Sequence, residues 1–449
     1  MRPDLLAKYD RPVPRYTSYP TAPHFHGGIG PAEYRAWLGA LPPEMRLSLY
    51  LHVPFCQSLC WYCGCHTTVA RRYDSIAGYL DVLLREIELV AEALGAAHPV
   101  SHVHLGGGTP TMLAPHDLER LGRTLRAYFA LLEEAEVAVE IDPRALTLAV
   151  VDALAGLGVN RVSLGVQDVN PKVQRAVNRR QPTEVVERTV MWLRRAGIRR
   201  LNVDLMYGLP HQTEALIVRS AEAVLALAPD RIALFGYAHV PWMKRHQRLI
   251  DQTALPGPAA RAAQFRAAAA RLLEAGYVAT GIDHFARRED GLARALRHGC
   301  LRRNFQGYTT DDAAALLGFG ASAIGSLPQG YVQNVVHLAS YRQAIGAGDL
   351  AVARGIALGA EDQVRRAIIE RLMCDYAVDL DVVCARFDWP VHLLQPEFAA
   401  LASFAADGLI EITDRAIAVT SRGRPFVRVI CAAFDQYLDE GAGRHSAAV

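Results

Sequence analysis

The stretch FCQSLCWYCGC, residues 55 to 65, places Cys56, Cys60, Cys63 and Cys65 in one short run, half of the eight cysteines in the chain. The first three are spaced C-x3-C-x2-C, and the fourth follows after a single glycine. Clustered thiols in a reducing compartment are more often metal ligands or redox groups than disulfides. Two ligand sets are compatible with the run. Four thiolates would complete a tetrahedral zinc site, although structural zinc usually draws ligand pairs from separated loops. A cubane [4Fe–4S] cluster is larger, and three thiols on such a loop can reach three of its irons and leave the fourth open. Cys65, only two residues from Cys63, is poorly placed to cap that remote iron. Cys300, Cys374, Cys384 and Cys431 are scattered among apolar neighbours and are expected to be small buried hydrophobes.

A loop of this kind needs rigid elements beneath it. From about residue 46, short β-branched runs alternate with amphipathic helical stretches. The runs LSLYLHVPF (47–55), VSHVHLGG (100–107), VAVEID (137–142), RVSLGVQ (161–167), RLNVDLMYG (200–208) and RIALFGYAHV (231–240) read as strands. IAGYLDVLLREIELVAEAL, HDLERLGRTLRAYFALLE, TEVVERTVMWLRRAG and TEALIVRSAEAVLAL read as the helices between them. This alternation predicts an α/β fold: a parallel sheet with helices outside, forming a partial, open (β/α)6 TIM-like barrel. Residues 1–45, rich in Pro, Tyr and Gly, read as an irregular N-terminal arm. The barrel is assigned to 46–345, and 360–449 to a mostly helical, winged-helix-like C-terminal domain. In that last region GLIEITDRAIAVTSRGR reads as a hairpin turning at Asp414-Arg415, and RPFVRVICAAFDQYLDE as a final helix.

Ligands of such barrels bind at the C-terminal strand ends, and the polar motifs fall there. Gly106-Gly107-Gly108-Thr109-Pro110 follows the second strand, where bare backbone lets a ligand approach closely. Glu140 ends the third strand, Gln167-Asp168 the fourth, Asp204 the fifth and Tyr237-Ala238-His239 the sixth. Each alone could be a helix cap or a satisfied buried polar group; together with the cysteine loop they point to one shared site. His102 and His104 would share a strand face, but no third ligand is evident, and core packing is expected for them.

C-x3-C-x2-C on the loop after the first strand is the signature of radical S-adenosylmethionine (radical SAM) enzymes, and this sequence resembles them, down to the aromatic Tyr62 before the third cysteine. The likeness extends further. PRYTSYPTA, YLHVPFC, GGGTPT, EIDPR, GVQD, Asn178-Arg179, NVDLMYGLP, YAHVP, GIDHFAR and LRRNFQGYTT occur in order, from about residue 5 to the C-terminus, and resemble the oxygen-independent coproporphyrinogen III oxidase family. The resemblance implies oxidative decarboxylation of two propionates of coproporphyrinogen III to vinyl groups, giving protoporphyrinogen IX through a 5′-deoxyadenosyl radical in haem biosynthesis. It implies Cys56, Cys60 and Cys63 as cluster ligands, with Cys65 matching a family cysteine that is not one. It also implies two S-adenosylmethionine molecules, with Tyr50, Tyr62, Gly107, Gly108, Thr109, Glu140, Gln167, Arg179, Asp204, Ala238 and Ile324 at contact positions. Tyr62 stands where phenylalanine is common. Arg144, Arg287, Arg302 and Arg303 are candidates, by motif position, to meet the substrate's propionates.

A formal net charge of +2 over 449 residues argues against a general polyanion binder, and no nucleic-acid partner is expected. No run approaches the ~20 apolar residues of a membrane span, and the N-terminus lacks a signal-peptide core. A cytoplasmic monomer is expected, served by an electron-donor protein and an unidentified final electron acceptor. A haem-binding chaperone relative would share the cluster motif but lack both the PRYTSYPTA arm and Cys65.

Overall fold

The computed structural model describes residues 3–438. Six strands run parallel in chain order: β1 (Leu47–Val53), β2 (Pro99–Gly107), β3 (Ala130–Ile141), β4 (Arg161–Gln167), β5 (Arg200–Tyr207) and β6 (Arg231–Gly236). Helices α1 (Asp74–Leu94), α2 (Pro115–Tyr128), α3 (Leu148–Leu157), α4 (Thr183–Arg195), α5 (Glu214–Ala226) and α6 (Pro258–Glu274) connect or follow them. This is the expected partial barrel. The sheet is larger than the sequence pattern indicated, because shorter strands join both edges to make twelve. β7 (Val278–Thr280) and β8 (His284–Ala286) add antiparallel beyond β6. β9 (Ala315–Phe319) joins the other edge parallel to β1, followed by antiparallel β10 (Ile324–Leu327), β11 (Gly330–Asn334) and β12 (Val352–Ala357).

Alternation along the strands sorts the residues into two faces. Leu47, Leu49, Leu51 and Val53 of β1, with Val103, Leu105, Val139, Leu164, Val203 and Leu234, are buried in one continuous core against the helices. α1 contributes Ile76, Tyr79, Leu80, Leu83, Ile87, Val90 and Leu94 at helical spacing, and stops where Gly95 takes a left-handed φ of 73°. The other face is polar. Register places Ser48, Tyr50 and His52 of β1 opposite His102, His104 and Gly106 of β2, and sets Glu140, Ser163, Asn202 and Asp204 around the same interior. A closed barrel would fill this space with branched apolar side chains; here it is lined for a polar occupant.

That face corrects the expectation for the two histidines. Neither is packed in apolar core: His102 Nδ1 lies 3.1 Å from Asp311 Oδ1, and His104 Nε2 lies 3.2 Å from Glu140 Oε1. Burial alone would lower the His102 pKa, but the Asp311 carboxylate raises it.

A second core lies in the C-terminal region. The helix Ala360–Asp375, the short helix Leu380–Arg386 and the helix Gln395–Ala406 pack with a three-stranded antiparallel sheet of Ala377–Asp379, Ile410–Thr413 and Ala416–Val419. This is the expected winged-helix-like arrangement, with Asp414 (φ 53°) in the hairpin turn. Leu5, Tyr9, Val13, Tyr16 and Tyr19 of the arm belong to this core, and the arm is partly helical, at Pro3–Tyr9 and Pro31–Gly39.

Several boundaries differ from the sequence pattern. RPFVRVICAAFDQYLDE is not one helix but a chain of short pieces, Arg424–Phe426, Val427–Cys431 and Ala432–Phe434, and its last two residues lie outside those described. Pro425 removes a backbone donor at its start. Residues 130–133, ALLE, belong to β3 rather than to α2, and β6 stops at Gly236. Cys300 is exposed, whereas Cys374, Cys384 and Cys431 are buried. Among the described residues no helix is long and apolar enough to cross a membrane.

Candidate functional site

β1 ends at Val53, and Phe55–Cys56 then pairs with Thr68–Val69 as a small parallel ribbon, closing the cysteine loop at its base. The neighbouring strand ends hold the rest of the loop. After β2, Gly108 N–H donates to Val53 O (2.9 Å) and Thr109 N–H to Phe55 O (2.7 Å). After β4, Val177 O accepts from Trp61 N–H (3.0 Å), and Asn178 Nδ2 donates to Leu59 O (2.9 Å). After β6, Gln247 Nε2 donates to Tyr62 O (3.1 Å), His246 Nε2 to Cys63 O (2.8 Å) and Lys244 Nζ to Cys65 O (3.0 Å). His52 Nε2 donates to His66 O (2.9 Å) from β1 itself. The loop is thus fixed by backbone carbonyls and amides, which leaves its thiols for other work.

The thiols occupy different surroundings. Thr67 Oγ1 lies 3.1 Å and Thr109 Oγ1 3.5 Å from Cys56 Sγ. Arg144 Nη2 and Arg179 Nη1 each lie 3.5 Å from Cys60 Sγ. Cys65 donates to Cys63 Sγ, its backbone N–H at 3.4 Å, and hydrogen bonding from Cys65 brings the Cys63 pKa down to about 7. Among the described residues, no three His, Cys, Asp or Glu side chains are grouped to hold a single metal ion. A loop carrying three spread thiols, with hydroxyl and guanidinium donors at two of them, fits a sulfur-bridged polynuclear cluster better than one zinc ion.

Beside the loop lies a cradle of bare backbone. A Cβ on Gly106 would sit 2.9 Å from Glu140 Oε1 and 3.0 Å from the Tyr50 ring, and one on Gly108 would sit 2.6 Å from Phe55 O. Gly107 adopts φ 112°, and its N–H donates to Glu140 Oε2 (3.1 Å). Burial opposes ionisation of Glu140, yet His104 and the Gly107 N–H hold its pKa below the ordinary value. Across the interior, burial raises Asp204 to about 6, while Ser163 and Asn202 donate to its carboxyl. Gln167 takes a left-handed φ of 70°. Burial disfavours the Arg179 cation, but Tyr62, Asp142 and Cys60 more than offset this and raise its pKa. Gln167 Oε1, Arg179 Nε, Asn202 Oδ1 and His239 Nε2 are buried without a partner among the described residues. Buried polar atoms are normally satisfied, so these strand-end orphans fit a ligand rich in amine, carboxylate and hydroxyl groups.

The structure therefore brings Cys56, Cys60, Cys63, Tyr50, Tyr62, Gly107, Gly108, Thr109, Glu140, Gln167, Arg179 and Asp204 to one end of the barrel. Ala238 joins them through Gln247, which donates to its carbonyl at 3.3 Å. Ile324 starts β10 and packs against the separate apolar group of Phe25, Tyr331 and Ile356. Sequence reasoning missed Asp142, which stands in the EIDPR motif, and assigned Arg144 to the substrate rather than to the cysteine loop. Asp142 accepts from Arg144 Nε (2.9 Å) and Arg179 Nη1 (3.2 Å), which aims both guanidinium groups at Cys60. Of the four arginines singled out by motif, Arg144 alone reaches the loop. Arg287 donates to Pro229 O (2.9 Å) before β6, at the opposite end of the barrel. Arg302 pairs with Glu370 (3.2 Å), and Arg303 donates to Arg15 O (3.3 Å).

A three-thiol loop over a glycine cradle at the C-terminal end of a partial parallel barrel defines the radical SAM class. The family model for the radical SAM superfamily matches residues 50–224, and that for the HemN C-terminal domain matches 358–426. The oxygen-independent coproporphyrinogen III oxidase of Bradyrhizobium diazoefficiens is 51% identical over 100% of both chains. That of Paracoccus denitrificans is 44% identical over 99% of this chain and 98% of its own. The solved structure of coproporphyrinogen III oxidase (HemN) from Escherichia coli, described as a radical SAM enzyme, superposes with TM-score 0.90 at 41% identity, covering 94% of this chain and 98% of that one. The chain belongs to the oxygen-independent coproporphyrinogen III oxidase family.

Proposed function

We propose that this chain decarboxylates two propionates of coproporphyrinogen III to vinyl groups, using a [4Fe–4S] cluster on Cys56, Cys60 and Cys63. The observation that carries the reading is the loop itself: three thiols, none in a disulfide, held on one loop by its backbone. When bound, the reduced cluster and S-adenosylmethionine supply a 5′-deoxyadenosyl radical, the reagent for a propionate C–H bond too weakly acidic for any side-chain base. The residues of the chain position and shield. Gly107, Gly108 and Thr109 would give backbone approach to the methionine portion, and Glu140 would engage its amine. Tyr50, Tyr62, Gln167, Arg179, Asp204, Ala238 and Ile324 would supply the remaining contacts to the two molecules of S-adenosylmethionine that the resemblance implies. Arg144 and Arg179 place positive charge beside Cys60.

The arm and C-terminal region cover the open end and keep other hydrogen donors from the radical. An electron-donor protein would supply the electron for the cluster, and a separate acceptor would take the electron left by each decarboxylation. The test is anaerobic incubation of the reconstituted protein with S-adenosylmethionine, a low-potential reductant and coproporphyrinogen III. Protoporphyrinogen IX together with 5′-deoxyadenosine is expected. Cleavage of S-adenosylmethionine with no vinyl product, alongside tight haem binding, would contradict the reading.

A further inference from the structure

A cavity of about 960 Å3 lies between the arm, the end of β6, α6 and the C-terminal region. Its size is that of a small-molecule site, typically about 300–1,000 Å3. Tyr237, Ala238 and His239 form one wall, so the cavity adjoins the cysteine-loop site. Tyr207, Trp242, Phe265 and Phe285 give it flat apolar surface.

Its charge is one-sided. Arg15, Arg261, Arg266, Arg422, Arg424 and Arg428 line it against only Asp10 and Asp283. Asp283 is engaged by His284 Nδ1 at 2.6 Å. Arg261 Nη1 donates to Tyr237 O (2.7 Å), and Arg428 donates to the carbonyls of Pro14 and Val13. Those two are committed to the protein. Arg15 is exposed on the cavity wall. Its side chain faces open space, and no side chain among the described residues forms an ion pair with it. Arg422 and Arg424 are likewise unpaired, Arg424 lying 4.8 Å over the Tyr376 ring. Three guanidinium groups face one cavity with no ion-pair partner among the described residues, so a ligand carrying carboxylates is the natural complement. Arginine forks bind carboxylates in bidentate fashion.

The geometry points to Arg15, Arg422 and Arg424 as the groups that hold propionates of the substrate, with the macrocycle against the aromatic surface. This assignment rests on the function proposed above. It replaces the motif-based candidates Arg287 and Arg302, which are held elsewhere, and gives Arg303 the role of positioning Arg15 through its carbonyl.

The test uses the full-length, cluster-loaded protein and its Arg15→Gln, Arg422→Gln and Arg424→Gln variants. Coproporphyrin III, the stable oxidised form with the same propionates, is titrated anaerobically by fluorescence quenching, and KM and kcat are measured with coproporphyrinogen III. Each substitution should weaken binding by about tenfold or more, the loss of a charge-assisted contact. KM should rise more than kcat falls, iron and sulfide content should be unchanged, and Arg424→Lys should restore part of the affinity. Arg422 and Arg424 are exposed, so their variants test the assignment even if Arg15→Gln fails to fold. Wild-type affinity and KM in the Arg422 and Arg424 variants, with the parent protein binding and converting normally, would overturn this assignment alone. A parent protein that neither binds nor converts would overturn the proposed function and this assignment with it.

Discussion

Replacing Glu86 by glutamine should change how the stability of this protein depends on pH. Glu86 lies on the buried face of α1, where three donors converge on its carboxyl. Gly320 N–H and the Tyr341 hydroxyl donate to Oε2, and Asn334 Nδ2 to Oε1, each at 2.6 Å. Gly320 follows β9, Asn334 ends β11 and Tyr341 lies on the helix Leu338–Gly346, so one carboxyl ties α1 to the edge strands. Tyr79 carries the tie to the site, donating to His52 O (2.7 Å) at the end of β1 and accepting from Ala321 N–H (3.0 Å). Burial raises the Glu86 pKa from 4.5 to about 7. Between those values the folded chain holds a proton that the unfolded chain has released. The contribution of this group is therefore full below pH 4.5 and falls as pH rises to about 7, by about 3 kcal/mol.

The glutamine variant has no such proton, so its stability relative to the parent should climb through the same window. It starts about 1–3 kcal/mol lower at acid pH, because its amide group faces the Asn334 donor and leaves it unpaired. Urea unfolding of both proteins at intervals from about pH 5 to pH 8 reads the difference directly. A difference that stays constant with pH would refute the reasoning.

Alanine at Cys56, Cys60 or Cys63 should abolish bound iron and visible colour, while Cys65→Ser should keep both; iron and sulfide analysis decides, and loss in Cys65→Ser would break the ligand assignment. Gly108→Ala places a Cβ 2.6 Å from Phe55 O, which displaces the cysteine loop. A displacement of this order should cost about 100-fold in product formation with an unchanged circular dichroism spectrum. Arg428→Gln removes donors to the Val13 and Pro14 carbonyls and should cost about 2–4 kcal/mol. Limited proteolysis should then cut within residues 3–22 faster than in the parent, and an equal rate would show that Arg428 does not anchor the arm.

The six parallel strands and their end motifs were legible because each apolar run closes on glycine or a polar residue, and because the outer face repeats with period two. The edge strands β7 to β12 were not, being only three to six residues long and mostly paired antiparallel. Glu86 was hidden for another reason: in LLREIELV it reads as a solvated helix residue, and only the fold delivers Gly320, Asn334 and Tyr341 to it. Asp142 stood in a recognised motif, yet its pairing with Arg179 depends on that arginine arriving from beyond β4. Arg15 and Arg424 lie four hundred residues apart in the chain, so no local pattern could place them in one cavity. The cysteine loop was the opposite case, since its chemistry is carried by spacing alone.

The most direct test of the central claim, that this barrel presents a propionate to the radical site, uses coproporphyrinogen III deuterated at the propionate β-carbons. The protein is incubated anaerobically with S-adenosylmethionine and reductant, and the 5′-deoxyadenosine is examined by mass spectrometry. The account predicts deuterium in 5′-deoxyadenosine in step with vinyl formation; vinyl product accompanied by unlabelled 5′-deoxyadenosine would contradict it.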